Sequence, residues 1–135
     1  MAGCSRDVQP AALDTANDQC GTCRMVVSAE RTASQVAAPN QEPKFFDDLG
    51  CLDQFLAGAP LAKGARVFVA DHRTGEWVPA ESAVFTKIAG SAGAMGSPFV
   101  AHATPASRDA DRDAAGVIVP ISTAVPSFHP SGGTR

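Results

Sequence analysis

Gln19-Cys20-Gly21-Thr22-Cys23-Arg24-Met25-Val26-Val27-Ser28-Ala29-Glu30 sets two thiols and a thioether directly ahead of a short β-branched run. The run from Met25 reads as a strand. Ser34-Gln35-Val36-Ala37-Ala38 is spaced to pair with it across Arg31-Thr32-Ala33, which puts the Cys-x-x-Cys at the mouth of a hairpin. Cys23 and Met25 are two residues apart, so on extended backbone they share a face, and a turn at Gly21-Thr22 brings Cys20 alongside. Three soft sulfur donors held this closely suit a soft monovalent metal, copper(I) above all.

The same spacing serves other chemistry. A zinc ribbon needs a second ligand pair, but Cys4 and Cys51 stand alone and His72, His102 and His129 are scattered. A thioredoxin-type dithiol follows a strand and opens a helix, whereas no strand pattern precedes Cys20. A structural disulfide, Cys20 to Cys23 or either one to Cys51, and dithiol exchange both stay open. Met25 favours the metal, because a thioether adds nothing to zinc binding or redox exchange.

Outward from this segment the pattern alternates strands with one clear helix. Lys44-Phe45-Phe46 is a short strand, and Asp47 or Asp48 is placed to cap a helix whose apolar face is Leu49, Leu52, Phe55 and Leu56, ending before Gly58 and Pro60. Cys51 lies near that face and reads as a small buried hydrophobe ahead of a ligand. Residues 65–71 and 76–78 form a hairpin through His72-Arg73-Thr74-Gly75, with His72 a solvated turn residue and Trp77 packing on the hairpin. Residues 83–88 and 97–102 are further strands, Pro98 marking the second as an edge or as a strand start. Between them Met95 stands among glycines, as a plug into the core or as a thioether donor. His102 is a secondary ligand candidate. From residue 107 a charged run and repeated Pro and Gly predict an irregular C-terminal tail.

Cys4 in Met1-Ala2-Gly3-Cys4-Ser5 has the form of a lipoprotein signal remnant behind a starting methionine, with Cys4 the lipidated residue. On that reading residues 5–19 are a flexible tether and the domain lies outside the cytoplasm. The 135 residues, 44% hydrophobic and 19% charged, supply one modest core. A net charge of -3 without basic runs excludes an electrostatic footprint for nucleic acid. The expected organisation is a tether over 1–19, a metal-binding α+β domain over 20–106 and a tail over 107–135.

Four blocks in order, Cys20-x-x-Cys23-x-Met25-Val26-Val27, Phe46-Asp47-Asp48-Leu49-Gly50-Cys51, Val69-x-Asp71 into Gly75-Glu76-Trp77, and Ala94-Met95-Gly96 with Phe99, resemble the NosL family of nitrous oxide reductase accessory proteins. The resemblance spans residues 20–102. It implies an α+β fold of two small ββαβ-type halves and no enzymatic activity. It further implies a periplasmic copper(I) chaperone, lipid-anchored to the outer or cytoplasmic membrane through Cys4, monomeric or weakly dimeric. The implied client is nitrous oxide reductase or another copper-accepting protein, and the carried-over ligands are Cys20, Cys23, Met25 and Met95, with His102 and Cys51 in reserve. The family commonly has proline before the last methionine, where this chain has Ala94.

Overall fold

The computed structural model describes residues 8–93 and 95–129. Strands β1 (Ser34–Ala37) and β2 (Lys44–Phe46), helix α1 (Leu49–Gly58) and strand β3 (Arg66–Ala70) make the first unit. Strand β4 (Trp77–Pro79) extends it to an antiparallel sheet of order β2-β1-β3-β4. The second unit repeats the plan with β5 (Val84–Ile88), β6 (Phe99–His102), α2 (Pro105–Ala110) and β7 (Gly116–Val119), in sheet order β6-β5-β7. In both units the first strand is central and antiparallel to both neighbours, so the expected pair of ββαβ-type halves in an α+β domain is what forms. A last short helix, α3 (Ile121–Ala124), packs near β5.

Helix α1 starts where its sequence cap predicts: the Asp48 side chain accepts from the Cys51 N–H at 2.9 Å. Its face of Leu49, Cys51, Leu52 and Leu56 is buried against β1 and β2, and the Phe46 and Phe55 rings meet with centroids 5.1 Å apart. Phe46 and Leu52 are fully buried, so truncating Phe46 to alanine costs about 3–5 kcal/mol. The two sheets meet where Asp71, one residue past β3, bridges Ala101 of β6. There the His72 N–H donates to the Ala101 carbonyl at 2.8 Å.

Three expectations are corrected. The segment from Met25 is not a strand paired with β1, because Arg24 takes a left-handed φ of 71° and the loop closes on itself. Cys20 N–H donates to the Met25 carbonyl at 2.7 Å and Val27 N–H to that of Asp18 at 2.8 Å, while β1 pairs instead with β2 and β3.

The tether is also docked over its described part, residues 8–19. Gln35, buried on the central strand, must satisfy its amide, and it does so by bonding both the N–H and the carbonyl of Ala11 at 2.9 Å.

The segment from residue 107, expected to be irregular, contributes most of α2 and all of β7. Thr104 caps α2, and Arg108 ties it to the central strand β5 through Thr86 Oγ1 at 2.8 Å and to the edge strand β7 through the Gly116 carbonyl at 2.6 Å. Gly116 itself is required by closeness, since a Cβ there would lie 2.1 Å from the Lys87 carbonyl oxygen. Among the described residues no helix is long and apolar enough to cross a membrane.

Candidate metal centre

Three thiols from two segments meet beside the end of β2. Cys20 forms a parallel bridge with Phe45, the Gly21 N–H donating to the Phe45 carbonyl at 2.8 Å, so the Cys-x-x-Cys turn continues the edge of the first sheet. Thr22 then reaches across to helix α1, its hydroxyl donating to the Cys51 carbonyl at 2.8 Å. This contact sets the turn against the first turn of the helix. The result brings the sulfurs of Cys20, Cys23 and Cys51 within 4.8 Å of one another. With metal–thiolate bonds of about 2.3 Å, three sulfurs around a trigonal ion stand about 4 Å apart, so the spacing fits one metal with little movement. All three cysteines are free thiols.

Their proton affinities diverge. Burial pushes the Cys20 thiol up, but the N–H groups of Cys23, Asp47 and Thr22 aimed at its sulfur outweigh this and hold it below the ordinary cysteine value. Cys23 is pushed up to about 11, by burial first and then by its hydrogen bond to Asp47, whose Oδ2 accepts from Sγ at 2.9 Å. Cys51 is pushed up furthest, by burial and then by the neighbouring Cys20. Cys20 is therefore the first thiolate and Cys51 the last.

The sequence-predicted ligands divide. Cys20, Cys23 and Cys51 converge, and Cys51 is both the buried residue expected and a member of the cluster. Met25 follows the Arg24 turn and is 62% exposed. Met95 is 53% exposed, in a loop whose backbone is fastened to Asp48. His102 is buried in a separate cluster with His72 and Asp111, so the solvated turn expected for His72 is corrected as well. Cys4 and Ala94 lie outside the described residues.

Two residues matter more than their sequence suggested. Asp47 holds the Cys23 proton, and Asp48 caps α1 through Oδ1 while Oδ2 accepts the Met95 and Ser97 N–H groups at 3.0 and 3.2 Å. Their adjacency to the cysteine helix was visible, but it pointed only to capping.

No family model matches the chain, and no curated protein matches it. Among solved structures it is similar to the crystal structure of the copper chaperone NosL from Shewanella denitrificans, at 19% identity and a TM-score of 0.63. That match covers 84% of this chain and 93% of the other. The mixed α+β domain built here, with its buried cluster of three thiols, thus has a NosL-like fold.

Proposed function

We propose that this chain is a NosL-type copper(I) chaperone, binding one copper(I) between Cys20, Cys23 and Cys51 and passing it to a copper-accepting protein. The convergence of three thiols at one point carries this reading. Thiolates hold copper(I) tightly at low coordination number and favour it over harder ions. Cys20 supplies the first thiolate, and Cys23 the second after losing the proton it shares with Asp47. Cys51 closes the site from the helix. The exposed thioethers of Met25 and Met95 are the donors an approaching metal or acceptor meets first, which suits them to entry and exit.

The likeness to NosL extends the proposal to a periplasmic protein, anchored to the outer or cytoplasmic membrane through a lipid on Cys4, monomeric or weakly dimeric and without enzymatic activity. Nitrous oxide reductase, through assembly of its catalytic copper centre, is the proposed client.

Dithiol exchange also draws on the unequal thiols. Exchange catalysts, however, expose the thiolate that attacks, and here the more acidic cysteine, Cys20, is only 1% exposed. Anaerobic titration against a chromophoric copper(I) chelator tests the proposal. One copper per chain, lost in the Cys20→Ser/Cys23→Ser variant, supports it, and unchanged affinity in that variant overturns it.

A further inference from the structure

A second cluster lies at the junction of the two sheets and contains no sulfur. His72 follows β3, His102 ends β6, and Asp111 follows α2, so three separate elements meet there. Both imidazoles are aimed at one carboxylate oxygen: Asp111 Oδ2 is 2.6 Å from His72 Nδ1 and 2.9 Å from His102 Nε2. The rings stand edge to face, with an interplanar angle of 71° and centroids 6.1 Å apart. We propose that His72 Nδ1, His102 Nε2 and Asp111 Oδ2 form a second metal site, taking a divalent ion of the zinc or copper(II) class.

The spacing supports this directly. Ligand bonds of about 2.0–2.1 Å to a tetrahedral ion place neighbouring donor atoms about 3.3 Å apart. Both nitrogen–oxygen separations are shorter than that by less than about 1 Å, so the donors need only spread slightly around an ion, and all three donor atoms lie within 4.8 Å of one another. An ion thus replaces two hydrogen bonds that already bring both imidazoles to the same carboxylate oxygen.

The surroundings hold the donors in place before any ion arrives. The other oxygen of Asp111 accepts the Asp113 N–H at 3.1 Å, which orients the carboxylate. The His72 backbone is fixed by its bond to the Ala101 carbonyl at 2.8 Å, and the loop beyond it by Asp71 Oδ1, which accepts the Arg73 and Thr74 N–H groups at 2.8 and 3.1 Å. His102 is fully buried, and among the described residues its Nδ1 has no hydrogen-bond partner. That ring therefore forfeits no Nδ1 contact when its proton moves there and Nε2 takes a metal. The His72 side chain, 16% exposed, is the donor nearest solvent.

Imidazole and carboxylate suit zinc and copper(II), whereas thiols suit copper(I). The two clusters therefore sort metals by softness, one site in each half of the ligand chemistry. Nothing in this inference depends on copper(I) binding at the cysteines.

The test is calorimetric titration of zinc(II) into the full chain after its thiols have been occupied by silver(I). One further equivalent of zinc is expected, weakened more than about 100-fold by His72→Ala and by Asp111→Asn, since each removes a ligand outright. The same zinc uptake is expected in the Cys20→Ser/Cys23→Ser chain without silver, which keeps this result separate from the fate of the thiol site. His72 is the most exposed of the three, so His72→Ala decides the matter even if Asp111→Asn fails to fold. Absence of zinc uptake in both preparations, or uptake that His72→Ala leaves unchanged, overturns the proposal.

Discussion

The carboxylate of Asp48 fastens the Met95 loop to the helix that carries Cys51: Oδ2 accepts the Met95 N–H at 3.0 Å while Oδ1 accepts the Cys51 N–H at 2.9 Å. One buried side chain thus links the Met95 loop to the thiol cluster's third member. Asp48→Ala removes the helix cap, worth about 1 kcal/mol, and strands further N–H groups in the loop. A total loss of about 2–3 kcal/mol is expected in chemical denaturation, together with faster copper(I) release in stopped-flow transfer to a chelator. Slower release would contradict the link.

Gly93 allows that loop to approach. A Cβ at this position would sit 2.2 Å from Asp48 Cβ, a separation that real side chains do not tolerate. Gly93→Ala is therefore expected to detach the loop from Asp48 while leaving α1 capped. Amide exchange at Met95 and Ser97 should accelerate, with little change at Cys51.

Copper(I) affinity should rise with pH. Cys23 is raised to about 11, so at neutral pH its thiol is protonated and the metal must displace that proton. Apparent affinity then increases up to about tenfold per pH unit for each proton displaced, continuing toward pH 11. Asp47 stabilises the protonated thiol, so Asp47→Asn is expected to raise affinity at pH 7. A loss in that variant would instead mark Asp47 as a ligand.

Asp71 staples the two halves. Burial works against its charge, but the Ala103, Arg73 and Thr74 N–H groups and the Ser107 hydroxyl outweigh that and hold its carboxyl below the usual range. Its contribution is therefore complete above the ordinary carboxylate value of about 3.9 and is lost as pH falls through the lower folded value. Asp71→Ala should cost about 3 kcal/mol at pH 7 by denaturant unfolding, a difference that shrinks in strong acid.

Much of this was legible in the residues because it rests on local rules. The Asp48 cap, the Leu49–Leu52–Leu56 face and the apolar strand runs of β3 and β5 each follow from neighbours within a few positions. The thiol pair was equally plain. What sequence reading missed depends on distant partners. The N-terminal segment looked like a tether because nothing in it reveals that buried Gln35 needs the backbone of Ala11. The charged run near Asp111 looked solvated because its apolar content is low, yet Arg108 and Asp111 aim inward at Thr86 and the histidines. The backbone turn at Arg24, a non-glycine residue at positive φ, carries no sequence signature at all. Met25 beyond it is exposed, and the third thiol of the cluster comes from Cys51 on the helix.

The most direct test is X-ray absorption at the copper edge of the copper(I)-loaded protein, compared with its Cys51→Ser variant. An inner shell of sulfur alone, losing one sulfur in Cys51→Ser, is the result predicted by the Cys20, Cys23 and Cys51 cluster. A shell containing imidazole nitrogen, or one that Cys51→Ser leaves intact, would contradict it.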